Sequence, residues 1–206
     1  VRYAKILRTE PYVREKLPSR LAAIVGGITD PILRLAGTET WHRRKHDIEL
    51  ASPAQFDQRF DRLFEIQASL HRVIGVRDAR YLDWRYTQNP MCRTDALLAS
   101  TDGELSGYLL FAVIDSVGYV KDVFPPTAVA PDLIVAIILE GRRRGLKALS
   151  FTALETNPLI PTFEEFGFRL RPDSSQMFGY APETSPFREV IQRKENWFLT
   201  VGDRDV

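Results

Sequence analysis

Apolar and polar positions change their rhythm near Asp47, and that change organises the whole reading. Before it, the most apolar run, Leu21–Ala36, is interrupted by Gly26-Gly27 and Asp30-Pro31, so it reads as a linker helix too short and broken to span a bilayer. After it, Ile48–Ala51 predicts a strand, and Ser52-Pro53 reads as the cap and first turn of a helix. Phe56, Phe60, Leu63, Phe64 and Leu70 recur at helical spacing, and a second helix is predicted over Arg77–Tyr86, stopping before Asn89-Pro90. Ala96–Thr101 and Leu105–Val113 flank Asp102-Gly103, a hairpin signal. Gly118–Phe124 predicts a third strand, ended by Pro125-Pro126. Pro131 opens a helix that runs through Arg142-Arg143-Arg144 and stops at Gly145. A strand over Leu146–Leu154, a short helix through Phe163–Phe166, a strand from Phe168 and a closing strand over Asn196–Val201 complete the order. The fold class expected is α+β, with a mixed, mostly antiparallel sheet flanked by helices.

Charge sharpens the division. Residues 1–46 carry ten Lys/Arg against four Asp/Glu, a net of +6, and residues 47–206 carry eighteen against twenty-three, a net of −5. A basic arm of residues 1–46 thus precedes a mildly acidic body of residues 47–206. The arm begins at Val1 without a methionine and is expected to be a connector that the body does not need for folding. The arm is not a targeting signal, although it is able to lie on a membrane surface or pack against another domain. Across 206 residues the net charge is only +1, which argues against a nucleic-acid binder. The single cysteine, Cys92, excludes an internal disulfide and fits a reducing, cytoplasmic setting.

The element order, together with the phrases Arg77-Asp78…Tyr81-Leu-Asp-Trp-Arg-Tyr86…Pro90, Glu165-Phe-Gly-Phe168 and Trp197–Asp205, resembles the GNAT acyltransferase superfamily. It is most similar to the carboxyl-terminal half of bacterial proteins with two such domains in tandem. The resemblance covers roughly residues 47–206, and it makes the arm a connector from a first GNAT-like domain of the same chain.

That resemblance implies N-acyl transfer from acetyl-coenzyme A, or another acyl-coenzyme A, to a small-molecule amine such as an amino sugar or amino acid. Asp122 then stands as general base, in a strand between Val120 and Phe124, an apolar setting that raises a carboxyl pKa. The alternative is a carboxylate paired with Lys or Arg. Backbone amides at Val123, Phe124, Thr127, Ala128, Val129 and Ala130, with Asn157, are the positions implied for coenzyme A and the oxyanion. Trp84, Arg85 and Tyr86 are implied at the acceptor, and their alternative role is helix packing.

The sequence also departs from that pattern. The loop Pro125–Pro131 has no glycine, whereas the usual pyrophosphate loop is basic and Gly-rich. Residues 157–168 contain no tyrosine to serve as general acid, leaving water or a displaced Tyr180. A degenerate, non-catalytic GNAT-like domain that binds a partner is therefore the rival reading. Aminoacyl-tRNA-dependent ligation fits the acidic body less well. His42 and His46 are four apart, but no carboxylate or cysteine completes a metal set and Arg43-Arg44-Lys45 disfavours a cation, so no metal is expected. Asp203 and Asp205 are expected to be solvated.

Overall fold

The computed structural model describes residues 1–14, 17–88, 92–172 and 179–203, with the backbone alone at Ala22. Asn89, Pro90 and Asp205, which the sequence reading used, lie outside the described residues. The architecture is α+β: a seven-stranded, mostly antiparallel sheet flanked by helices, with a separate two-stranded ribbon.

Four strands run in antiparallel sequence across one half of the sheet: β2 (Asp47–Ala51), β4 (Thr94–Thr101), β5 (Glu104–Ile114) and β6 (Val117–Phe124). The β4–β5 turn is the one its sequence demands, because Asp102 and Gly103 both have positive φ, 52° and 83°. Leu109, Leu110 and Phe111 of β5 are fully buried, since both faces of this strand are covered. On one face lies α5 (Ala130–Arg143), which buries Leu133, Ile134, Ile137 and Ile138. On the other lies α3 (Gln58–Ala68), with Phe60 and Leu63 inward. Ser52-Pro53 does not start that helix. Asp57 caps it instead, its side chain accepting from Arg59 N at 2.9 Å.

Beyond β6 the chain crosses through α5 to β7 (Ala148–Thr152), which runs parallel to β6. The short helix α6 (Ile160–Glu165) and strand β8 (Arg169–Arg171) follow. The next neighbour of β7 corrects the division at residue 46. Strand β1 (Arg2–Ile6) lies between β7 and β8, antiparallel to both. Its alternation buries Tyr3, Lys5 and Leu7, so the first residues of the basic arm belong to the sheet and core of the body. Beyond it the arm holds two helices, α1 (Glu10–Arg14) and α2 (Ser19–Ala36).

The C-terminal segment is also corrected. β9 (Trp197–Phe198) leaves the large sheet and pairs in parallel with β3 (Val73–Ile74). Because β1 already fills the place beside β7, the closing strand has no edge there to join.

Candidate functional site

β6 and β7 pair from Val117–Ala148 to Val120–Phe151 and then part. The cause is local. A bulge at Lys121 shifts the β5–β6 register between Leu110 and Phe111, and a bulge bends its strand and increases its twist. Segment Leu199–Asp203 runs between the parted strands. Thr200 makes an antiparallel bridge to Ala153 on the β7 side. On the β6 side its Oγ1 donates to Asp122 Oδ1 at 2.9 Å. Gly202 allows this approach, since a Cβ there would press on Tyr86 Oη and stand 3.0 Å from Lys121 O.

At this edge Asp122 meets Arg77, a residue to which sequence reasoning gave no role. Arg77 precedes α4 (Ala79–Leu82), which continues in a wider turn over Asp83–Thr87. Asp78 caps the helix by accepting from Tyr81 N, and Asp61 accepts from Ala79 N, both at 2.7 Å. Fixing the helix start turns Arg77 inward, to 2 % exposure. Its Nε donates to Asp122 Oδ2 at 2.9 Å and its Nη2 to Oδ1 at 3.3 Å. Nη2 also donates to Asp203 Oδ2 at 2.7 Å, and Nη1 to Gly75 O at 2.8 Å. The guanidinium lies 5.7 Å from the Phe124 ring centroid and 5.2 Å from that of Phe198. Burial works against the charge, but Asp122 and Asp203 outweigh it and hold Arg77 more firmly protonated than usual.

The apolar setting expected for Asp122 is corrected by these contacts. Its Oδ2 also accepts from Tyr108 Oη at 3.0 Å, so both oxygens carry at least two donors. Every one of these donors holds the carboxylate within the fold. The paired-carboxylate alternative describes Asp122 as it stands. Burial and then Asp122 raise the Tyr108 hydroxyl well above its ordinary pKa, and burial, Asp122 and Asp203 do the same for Tyr86.

Asp203 differs from Asp122, and from the solvated terminus expected. Its side chain is 9 % exposed. Oδ2 takes the Arg77 contact and the Thr200 N–H at 2.9 Å, while no hydrogen bond among the described residues reaches Oδ1, which lies against Gly75. Burial, and the neighbouring Asp122, push its pKa up against the pull of Arg77. Two buried carboxylates thus share one guanidinium.

The other expected residues scatter. Of Trp84-Arg85-Tyr86, Tyr86 lies in this cluster; Trp84 is 57 % exposed with its ring tilted against Tyr81, and Arg85 is half-buried. Val123 and Phe124 are fully buried, Phe124 among the Tyr108, Phe64 and Phe198 rings. Thr127 and Ala128 are exposed at the start of α5, whereas Val129 and Ala130 are buried there. Asn157 is buried and engaged: Nδ2 donates to Leu199 O at 2.6 Å, and Oδ1 accepts from Leu159 N at 2.9 Å. It therefore ties the C-terminal segment to α6, a role that occupies the groups expected to face coenzyme A. Tyr180 is 86 % exposed.

His42 and His46 do meet a carboxylate, from far along the chain. Asp132 Oδ1 lies 2.6 Å from His42 Nε2, and Oδ2 lies 2.7 Å from His46 Nδ1. Oδ2 also accepts from Lys45 N and His46 N at 2.7 and 2.9 Å. One ring nitrogen of each histidine meets the carboxylate, and no group of three or more ligand residues among those described is arranged to hold a metal.

No protein-family model matches the chain, and no curated protein matches it.

Proposed function

We propose that the domain transfers an acyl group from an acyl-coenzyme A thioester to a primary amine, within a GNAT-like fold, and that Asp203 rather than Asp122 receives the amine's proton. The observation that carries this reading is the unmatched carboxylate: Arg77 neutralises one of Asp122 and Asp203, and Asp203 Oδ1 is left without a donor. An amine is mostly ammonium at neutral pH, and a buried net negative charge draws it in. A carboxyl with a raised pKa then accepts one proton, freeing the nitrogen lone pair for the thioester carbonyl. The resulting oxyanion is met by backbone N–H groups of parted β6 and the start of α5; collapse expels the thiolate, which takes the second proton from the nitrogen and leaves as the free thiol with the neutral amide. Asp122 is a positioning residue in this scheme, holding Arg77 and through it Asp203. The acceptor is a small amine, and its proposed setting is the cytoplasm.

The presence of Leu199–Asp203 in the gap expected for the thioester favours a second reading, a non-catalytic GNAT-like domain that binds a partner.

Calorimetry with acetyl-coenzyme A, followed by thiol-release assays over a panel of amines, separates the two. The expected result is micromolar binding and measurable turnover. Asp203→Asn lowers turnover about 10²–10⁴-fold while leaving coenzyme A affinity unchanged and removing the rise of rate with pH. Full turnover in Asp203→Asn rejects the base assignment, and no heat at millimolar acetyl-coenzyme A transfers the case to the second reading.

A further inference from the structure

The helix α2 presents a stripe that nothing in the described structure covers. Leu21, Ile24, Ile28, Ile32 and Leu35 are each between 50 % and 64 % exposed. At 100° per residue they fall within an arc of about 80°, along about 21 Å of helix. The opposite face packs on Thr9 and α1. Gly26 meets Glu10 there, and Asp30 accepts from Thr9 N at 2.7 Å and Thr9 Oγ1 at 2.6 Å. The stripe therefore points away from α1, the element that α2 packs on. Beyond its end, Trp41 is 77 % exposed, with its indole N–H donated to Leu35 O at 3.2 Å. An aromatic ring with its polar edge satisfied suits the boundary between water and hydrocarbon.

Charge selects the occupant. Arg20, Arg34, Arg43, Arg44 and Lys45 are exposed around this helix and enter no ion pair among the described residues. Beyond β1, residues 8–46 carry +4 and the rest of the chain −3, so an anionic surface attracts the arm and turns the body outward. Two copies meeting stripe to stripe would instead bring two +4 arms together. We infer that α2 lies in the interface of an anionic phospholipid bilayer, its apolar stripe among the acyl chains and its basic neighbours at the headgroups. No helix among the described residues is long and apolar enough to cross a membrane, and an interfacial helix has no need to.

The test is co-sedimentation of the full chain with vesicles of phosphatidylglycerol and phosphatidylcholine in equal parts, against vesicles of phosphatidylcholine alone. The chain is expected to bind the anionic vesicles and not the neutral ones, and high salt weakens that binding. Ile24→Glu with Ile28→Glu lowers partitioning by at least about tenfold, with an unchanged melting curve because both side chains face outward. Failure to bind, or equal binding to neutral vesicles, overturns the inference. So does self-association, seen by sedimentation velocity, that the same double substitution abolishes, since the stripe would then join two copies.

Discussion

Two buried ionic clusters hold distant parts of this chain together, and their charge excess is opposite. At the parted edge of β6, one cation, Arg77, serves two carboxylates, Asp122 and Asp203. Where the arm meets the body, one carboxylate, Glu39, serves two cations: Lys5 Nζ at 3.2 Å and Arg142 Nη2 at 2.5 Å. Each cluster shows its excess as an unmatched group. In the first it is the acceptor Asp203 Oδ1. In the second it is the donor Arg142 Nη1, buried without a partner among the described residues. The acidic cluster responds by raising the Asp203 pKa. The basic one responds by lowering that of Lys5, where burial, with Arg142 and Arg169, outweighs the pull of Glu39. An excess carboxylate near an open strand edge is suited to take up a proton or a cation. An excess ammonium under β1, bonded to Phe166 O at 2.7 Å, is suited only to fasten the arm.

The sharpest way to break the comparison is to remove the shared ion from each side. Arg77→Met leaves Asp122 and Asp203 buried without their cation and is expected to cost about 3–5 kcal/mol of stability by chemical denaturation. Adding Asp122→Asn and Asp203→Asn to Arg77→Met recovers most of that loss, because the cost lies in the stranded charges. If Arg77→Met is as stable as the wild type, the cluster is not a buried ion network. Glu39→Gln is the matching change on the arm and is expected to cost about 3 kcal/mol, the low end of the same range. The loss is smaller because Lys5 is able to shed its proton when its carboxylate goes. Lys5→Met restores stability in the Glu39→Gln background and does not do so in the Arg77→Met background.

Neither cluster was legible in the sequence, while much of the frame around them was. Asp102-Gly103, Pro131, Gly145 and the apolar run of β5 are local signals, and they placed the hairpin, the helix and the central strand correctly. Strand β1 was missed because Lys5 sits at an inward position, where a charge ordinarily reads as solvent-facing. Arg77 was hidden for a related reason: its partners stand 45 and 126 residues away, and nothing beside it marks it as buried. Asp203 lay within the quoted terminal phrase, yet only the tertiary fold moves it from solvent to the end of a salt bridge. Asp132 is the third such case, a helix residue whose histidine partners lie 90 and 86 residues earlier. Sequence reading supplied elements whose causes are local and lost the contacts that close long loops.

Asp132 sharpens the comparison because it is a carboxylate held by imidazoles and backbone N–H groups rather than by a buried guanidinium. Burial opposes its charge, but the hydrogen bonds from His42, His46 and the Lys45 and His46 amides prevail and bring its pKa to about 2. A folded pKa below the ordinary 3.8 means stability that is complete above about pH 4 and is lost as pH falls toward about 2. At neutral pH the contribution is about 2 kcal/mol. Asp203 has the opposite sign. Its folded pKa is raised above 3.8, so the folded chain takes up that proton first, and stability rises as pH falls toward that value. Denaturation of wild type, Asp132→Asn and Asp203→Asn across the acid range separates the two. Relative to wild type, the Asp132→Asn deficit is expected to shrink between about pH 4 and pH 2, because wild type loses in that window what the variant already lacks. The Asp203→Asn chain is expected to lack the gain just above pH 4. A constant Asp132→Asn deficit through the acid limb would show that the histidine contacts do not favour the ionised carboxylate, leaving residues 42–46 joined to α5 by hydrogen bonds independent of its charge.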